Sequence, residues 1–78
     1  MKLFIYSLEK TLFEGEAEAV QVPSVDGELG ILNGHIPLIT ALKTGTVRVA
    51  RASGTELALP VTGGYLEVAK NRTVLLVR

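Results

Sequence analysis

The sequence predicts an all-β domain, a flattened β-sandwich of about eight to ten short strands. Three observations lead there. Strand-like runs recur at intervals of roughly ten residues, separated by Gly, Asn, Pro or Ser. Nowhere does an apolar i, i+3, i+4, i+7 pattern persist for three helical turns. So many strands in 78 residues would also leave an apolar face in water if they lay in one open sheet, and packing face to face is the remaining solution.

Taken in order, Leu3 and Ile5 alternate with Phe4 and Tyr6, the pattern of a half-buried strand. Ala17, Ala19 and Gln21 alternate with Glu16, Glu18, Val20 and Val22, and the run is expected to end at Pro23. The stretch from Asp26 to Leu42, DGELGILNGHIPLITAL, is harder to assign. Leu29, Ile31, Leu32, Ile36, Leu38, Ile39 and Leu42 are too many apolar residues for a mobile loop, yet Gly30, Gly34 and Pro37 interrupt any regular element. Two readings stand: a loop with an apolar lining, pinned by glycines and used as a docking edge, or core filling by Leu38, Ile39 and Leu42.

The second half alternates more clearly. Val47 and Val49 flank Arg48, Leu57, Leu59 and Val61 alternate with Ala58 and Pro60, and Leu66 and Val68 flank Glu67. Pro60 cannot donate to a ladder and belongs on an edge or at a bulge. The last run, Thr73 to Val77, is apolar on both faces and is expected to be central and buried on both sides. Lys43-Thr44-Gly45, Ser53-Gly54, Asn71 and Asn33 supply turn residues that tolerate a positive φ.

A chain of 78 residues makes one domain with little core to spare for an enclosed active site. It has no Cys and is 47% hydrophobic, so no disulfide framework or thiolate metal site supports the fold, and a reducing compartment fits. The formal net charge is zero, which argues against nucleic-acid binding. Charge is nevertheless uneven: residues 1–28 carry six acids against two bases, a balance of −4, and residues 29–78 carry the reverse, +4. That asymmetry fits either opposite strands of one sheet or a dipole facing a partner. No run reaches the roughly 18–20 apolar residues of a membrane span, and Met1 to Tyr6 is too short for a signal-peptide core. Membrane association is therefore expected only through a partner.

Chemistry is hard to find. A zinc site would have to combine His35, the only histidine, with Asp26 and Glu28, which is a poor ligand set. Ser7, Ser24 and Ser53 could face His35 and Asp26, but none lies in a Gly-x-Ser-x-Gly elbow. Glu14 and Glu16 share a strand face, which more commonly makes an exposed acidic face than an acid/base pair. Gly27 to Gly30 and Thr62-Gly63-Gly64 lack phosphate-loop spacing and lead into no helix. Two Phe and two Tyr without an interleaved basic stripe make no platform for single strands. No catalytic residue, metal or cofactor is expected.

Gly27-Glu28-Leu29-Gly30-Ile31-Leu32-Asn33-Gly34-His35-Ile36-Pro37-Leu38-Ile39-Thr40 resembles the signature of the epsilon subunit of F-type ATP synthases, called delta in mitochondria. Gly45 to Val49, Gly63 to Val68 and the opening strand followed by Phe13-Glu14-Gly15 agree with it, so the resemblance covers the whole chain. It implies a non-catalytic rotor subunit at the foot of the central stalk, between the gamma subunit and the membrane c ring, coupling proton transport to ATP synthesis or hydrolysis. The alpha/beta head would be reached only indirectly. It further implies a loop at Glu28, Leu29, Gly30 and Ile31 that meets the c ring, and positions Ser7, His35 and Thr40 that lie toward gamma. The location implied is peripheral, on the cytoplasmic face of the bacterial cell membrane. Asn33 stands where the family often has Pro. The family's C-terminal helical hairpin, to which ATP binding and inhibition belong, is absent from residues 1–78, leaving a single domain. From the residues alone, a free-standing β-sandwich module for a ligand or peptide is the alternative.

Overall fold

The alternations produce nine strands in a computed structural model that describes residues 1–78. They are β1 Lys2–Tyr6, β2 Thr11–Glu16, β3 Ala19–Ser24, β4 Gly27–Leu32, β5 Leu38–Leu42, β6 Gly45–Ala50, β7 Glu56–Val61, β8 Gly64–Val68 and β9 Thr73–Val77. Five of them pair in the order β2-β1-β9-β8-β5, and the other four in the order β4-β3-β6-β7. All pairings are antiparallel except β1 with β9.

One bridge, Ser24 with Leu42, joins the two halves. On either side of it Val25 N–H donates to Ala41 at 3.0 Å and Lys43 N–H donates to Pro23 at 2.8 Å. Just beyond β7 and β9, Thr62 N–H donates to the Arg78 carbonyl at 2.6 Å, and the core between the halves is made by side chains. Leu3, Ile5, Leu66 and Leu75 come from the five-stranded half, Val20, Val22, Ile31, Val47 and Val49 from the other, and all are 0–1% exposed. Each is a side chain whose full burial contributes about 1.5–3 kcal/mol.

Several expectations need correcting. Gly27 to Leu32 is not a loop but strand β4, fully registered against β3 from Ser24–Gly27 to Ala19–Leu32. Gly27, at φ 121°, takes up the bend after a tight turn at Val25-Asp26, where the Ser24 hydroxyl donates to the Gly27 carbonyl at 2.6 Å. Gly30 then costs only a side chain, because the ladder still has its backbone. The β3 run likewise does not stop at Pro23 but continues to Ser24, both residues buried. Proline there lacks only a donor, and its carbonyl is used by Lys43.

The last strand is central, between β1 and β8, but it is not buried on both sides. Thr73, Leu75 and Val77 point inward, while Leu76 is 55% exposed. Among the turn residues, Gly34 and Gly54 do adopt positive φ, whereas Asn33, Asn71 and Gly45 do not. Gly45 is required instead by space, since a Cβ there would lie 2.7 Å from Pro23. Pro60 sits exposed on edge strand β7, where its missing N–H costs no ladder bond.

Candidate docking faces

The β1, β9, β8 and β5 registers align two cross-strand rows on the outer face of the five-stranded half. One row runs Phe4, Val74, Glu67, Ile39, and the other runs Tyr6, Leu76, Tyr65, Ala41. Their neighbours in each strand are the core residues, so period-two alternation puts every member of the rows outside. Phe4 and Tyr6 stack with ring centroids 6.1 Å apart. Ile39, Tyr65 and Leu76 are exposed by more than half, and Leu8, in the turn after β1, is 97% exposed. Two shallow grooves of about 290 and 250 Å³ follow the rows, the first running from Tyr6 and Leu8 past Tyr65 to Arg78. Glu67 is the only acid on these four strands' rows, and on β2 Glu14, opposite Phe4, closes the first row with a second acid. Isolated exposed hydrophobics are ordinary, but a contiguous apolar face of this kind marks an interaction surface.

The residues expected to face gamma frame this surface rather than converge. Ser7 follows β1 at the end where β9 finishes and β8 begins. Its hydroxyl accepts from Glu9 and Lys10 N–H at 3.2 and 3.1 Å, which holds the β1–β2 turn. His35 precedes β5 at the opposite end, its Nδ1 donating to the Ile36 carbonyl at 2.7 Å. Thr40 lies midway along β5, between the outward Ile39 and Ala41, and faces the inner side with Leu66 opposite. Ser7 and His35 are thus offset by about one strand length along the sheet and by three strand spacings across it, a separation of roughly 20 Å. A surface of that breadth suits a protein partner, not a small substrate.

Strand β4 carries the other expected contact on the four-stranded half. Glu28 and Gly30 point outward, while Leu29 is half-buried and Ile31 is fully buried opposite Val20. The alternation therefore leaves Glu28 and Gly30 to present chemistry, with Leu29 and Ile31 anchoring the strand. Glu28 accepts a hydrogen bond from the Gln21 amide at 3.2 Å. A Cβ on Gly30 would meet nothing within 4 Å, so the outer backbone of β4 is open. No group of three or more His, Asp or Glu side chains comes together anywhere in the chain.

The fold and its two faces can now be set beside known proteins. Residues 1–78 match the profile of the ATP synthase, Delta/Epsilon chain, beta-sandwich domain. The chain belongs to that family. Among curated relatives of this delta/epsilon domain, the ATP synthase epsilon chain of Dichelobacter nodosus is 44% identical over 75 residues, covering 96% of this chain and 52% of the relative. That of Chromohalobacter salexigens is 55% identical over 64 residues, covering 82% of this chain and 45% of the relative. The chain thus spans about half the length of these curated relatives. The delta/epsilon fold recurs in a chain of the Euglena gracilis mitochondrial ATP synthase, solved with OSCP, F1 and c-ring, at TM-score 0.92 and 20% identity over 99% of this chain and 49% of that one. It recurs again in the central stalk and c-ring structure of the Tetrahymena thermophila mitochondrial ATP synthase, at TM-score 0.82 and 15% identity over 97% of this chain and 61% of that one.

The apolar rows themselves escaped the sequence reading. Their one signal is the last strand, whose two apolar faces suit burial on both sides; an apolar outer face beside Tyr65 and Ile39 is the other meaning of the same pattern.

Proposed function

We propose that this domain is the stalk-foot part of a non-catalytic rotor subunit of an F-type ATP synthase, joining the gamma subunit to the c ring. The observation that carries the reading is the continuous apolar outer face of β1, β9, β8 and β5, framed by Ser7 and His35. Gamma covers that face, with Tyr65, Leu76 and Ile39 as central contacts, Ser7 and His35 at its two ends, and Thr40 behind it on the inner side of β5. A standard interface of about 800 Å² per partner would take roughly a sixth of the chain's 4827 Å² surface. The c ring meets the outer side of β4 at Glu28 and Gly30, with Leu29 and Ile31 fixing that strand in the core.

Mechanically the domain is a spacer. Its two partner faces lie on different halves, and load passes between them through one close-packed core of low compressibility. The subunit makes and breaks no bonds; it couples proton movement to the catalytic alpha/beta head only through gamma. It sits on the cytoplasmic face of a bacterial cell membrane, held there by its partners.

Co-purification tests the reading. Tagged chain should retain folded gamma, and with gamma should join the c ring. Failure to retain gamma that is demonstrably folded overturns it.

A further inference from the structure

At the His35 end of the five-stranded half, away from the Ser7 groove, a cavity of about 130 Å³ opens between the β8–β9 turn and the β4–β5 connection. Lys70, Arg72, His35, Asn33 and Asn71 line it, and no Asp or Glu does. Neither Lys70 nor Arg72 is committed elsewhere, because the chain's two ion pairs are Met1 with Glu16 and Arg48 with Glu56. The main chain points to the same chemistry. The N–H groups of Asn33, Gly34, Lys70, Asn71 and Arg72 lie outside the strands and donate to no acceptor in the chain. Gly34, at φ 81°, has nothing within 4 Å of where a Cβ would be, so a ligand can approach its backbone.

We propose that this cavity binds a phosphate-type oxyanion. Two cationic side chains and two side-chain amides line a small pocket between two turns whose main-chain N–H groups have no acceptor in the chain, an acid-free concavity rich in the donors that anions require. Arg72 supplies a planar donor fork suited to a tetrahedral oxyanion, and Lys70 supplies a point charge. The volume admits one such group and falls below the roughly 300 Å³ at which pockets for drug-sized ligands begin. A whole nucleotide does not fit inside, so the phosphate group is either free or carried on a molecule whose remainder stays outside, such as an anionic lipid.

The test is an NMR titration of the isotopically labelled chain with inorganic phosphate, with sodium chloride at matched ionic strength as reference. Saturable shifts should concentrate on the amides of Asn33, Gly34, Lys70, Asn71 and Arg72. Lys70→Gln and Arg72→Gln should each weaken binding about fivefold or more, as loss of a charge-assisted hydrogen bond requires. Both residues are exposed, so the variants keep the parent spectrum elsewhere. Arg48→Gln, on the other half, should leave phosphate binding unchanged. A second arm uses short-chain phosphatidylglycerol below its micelle concentration: tighter binding than phosphate at the same amides assigns the group to a lipid headgroup, and weaker binding assigns it to free phosphate. Shifts that do not saturate, that chloride reproduces, or that survive both glutamine variants overturn the proposal.

Discussion

The two halves of this domain build their inner faces alike and their outer faces differently. Inside, both present mainly branched aliphatics, with Thr40 and Thr73 as exceptions in the five-stranded half. Outside, the five-stranded half aligns Tyr6, Leu76 and Tyr65 in one row, whereas the corresponding row of the other half reads Gly30, Gln21, Arg48, Ala58, and the next reads Leu32, Ala19, Ala50, Glu56. Apart from Leu32, the side chains of these two rows are small or polar. Folding constrains the inner face of each strand; the outer face is free to take the chemistry of whatever touches it.

That contrast can be broken first at the core, where the halves should behave identically. Leu66→Ala in one half and Ile31→Ala in the other remove fully buried side chains and should each cost about 2–5 kcal/mol, transfer and cavity together, in denaturant melts. A large difference between them would show that one half carries the stability.

On the outer faces the halves should part. Tyr65→Ser with Leu76→Ser should change chain stability by no more than about 0.5 kcal/mol per site, yet weaken gamma binding by about 2 kcal/mol or more if these are central anchors. Denaturant melts of parent and variant read the first effect, and calorimetric titration with gamma reads the second. Ala58→Ser and Ala50→Ser on the four-stranded face, measured the same way, should leave gamma binding untouched.

Glu28→Ala is expected to have a smaller, salt-dependent effect. It leaves melts within about 0.5 kcal/mol of the parent and weakens joining to the c ring more at low than at high ionic strength, because screening already attenuates the native contact. Equal loss at both salt concentrations would remove charge from the account of that face.

The smallest effect belongs to the Arg48–Glu56 pair, 3.6 Å apart with both side chains more than half exposed. Arg48→Ala should cost no more than about 1 kcal/mol in thermal melts, with the loss shrinking as salt is added.

Much of this was legible in the sequence. Leu3, Ile5, Val20, Val22, Val47, Val49 and Leu66 announce the core by alternation alone, and Pro60 announces an edge. The β4 strand was obscured because Gly27 and Gly30 carry no alternation signal, although their backbones pair as well as any. The docking rows were obscured for a different reason. They are cross-strand objects, and their members come from four strands whose registers no local window contains. What covers an apolar face is also not written on the strand that bears it, and so Leu76 read as core.

The parallel contact of β1 with β9 sets Leu3 beside Thr73, and it imposes an order of events. Local hairpins such as β1–β2 and β6–β7 can form as the polypeptide emerges from the ribosome, but β1 keeps an open edge until nearly the whole domain has been made. Closing so long a loop is entropically costly before its contacts repay it, which places this step late in folding. Leu75 and Val77 then complete the core in the same event in which Val74 and Leu76 complete the outer rows. A nascent or truncated chain lacking β9 would have neither a closed core nor assembled outer rows, so synthesis itself becomes a checkpoint on the finished surface.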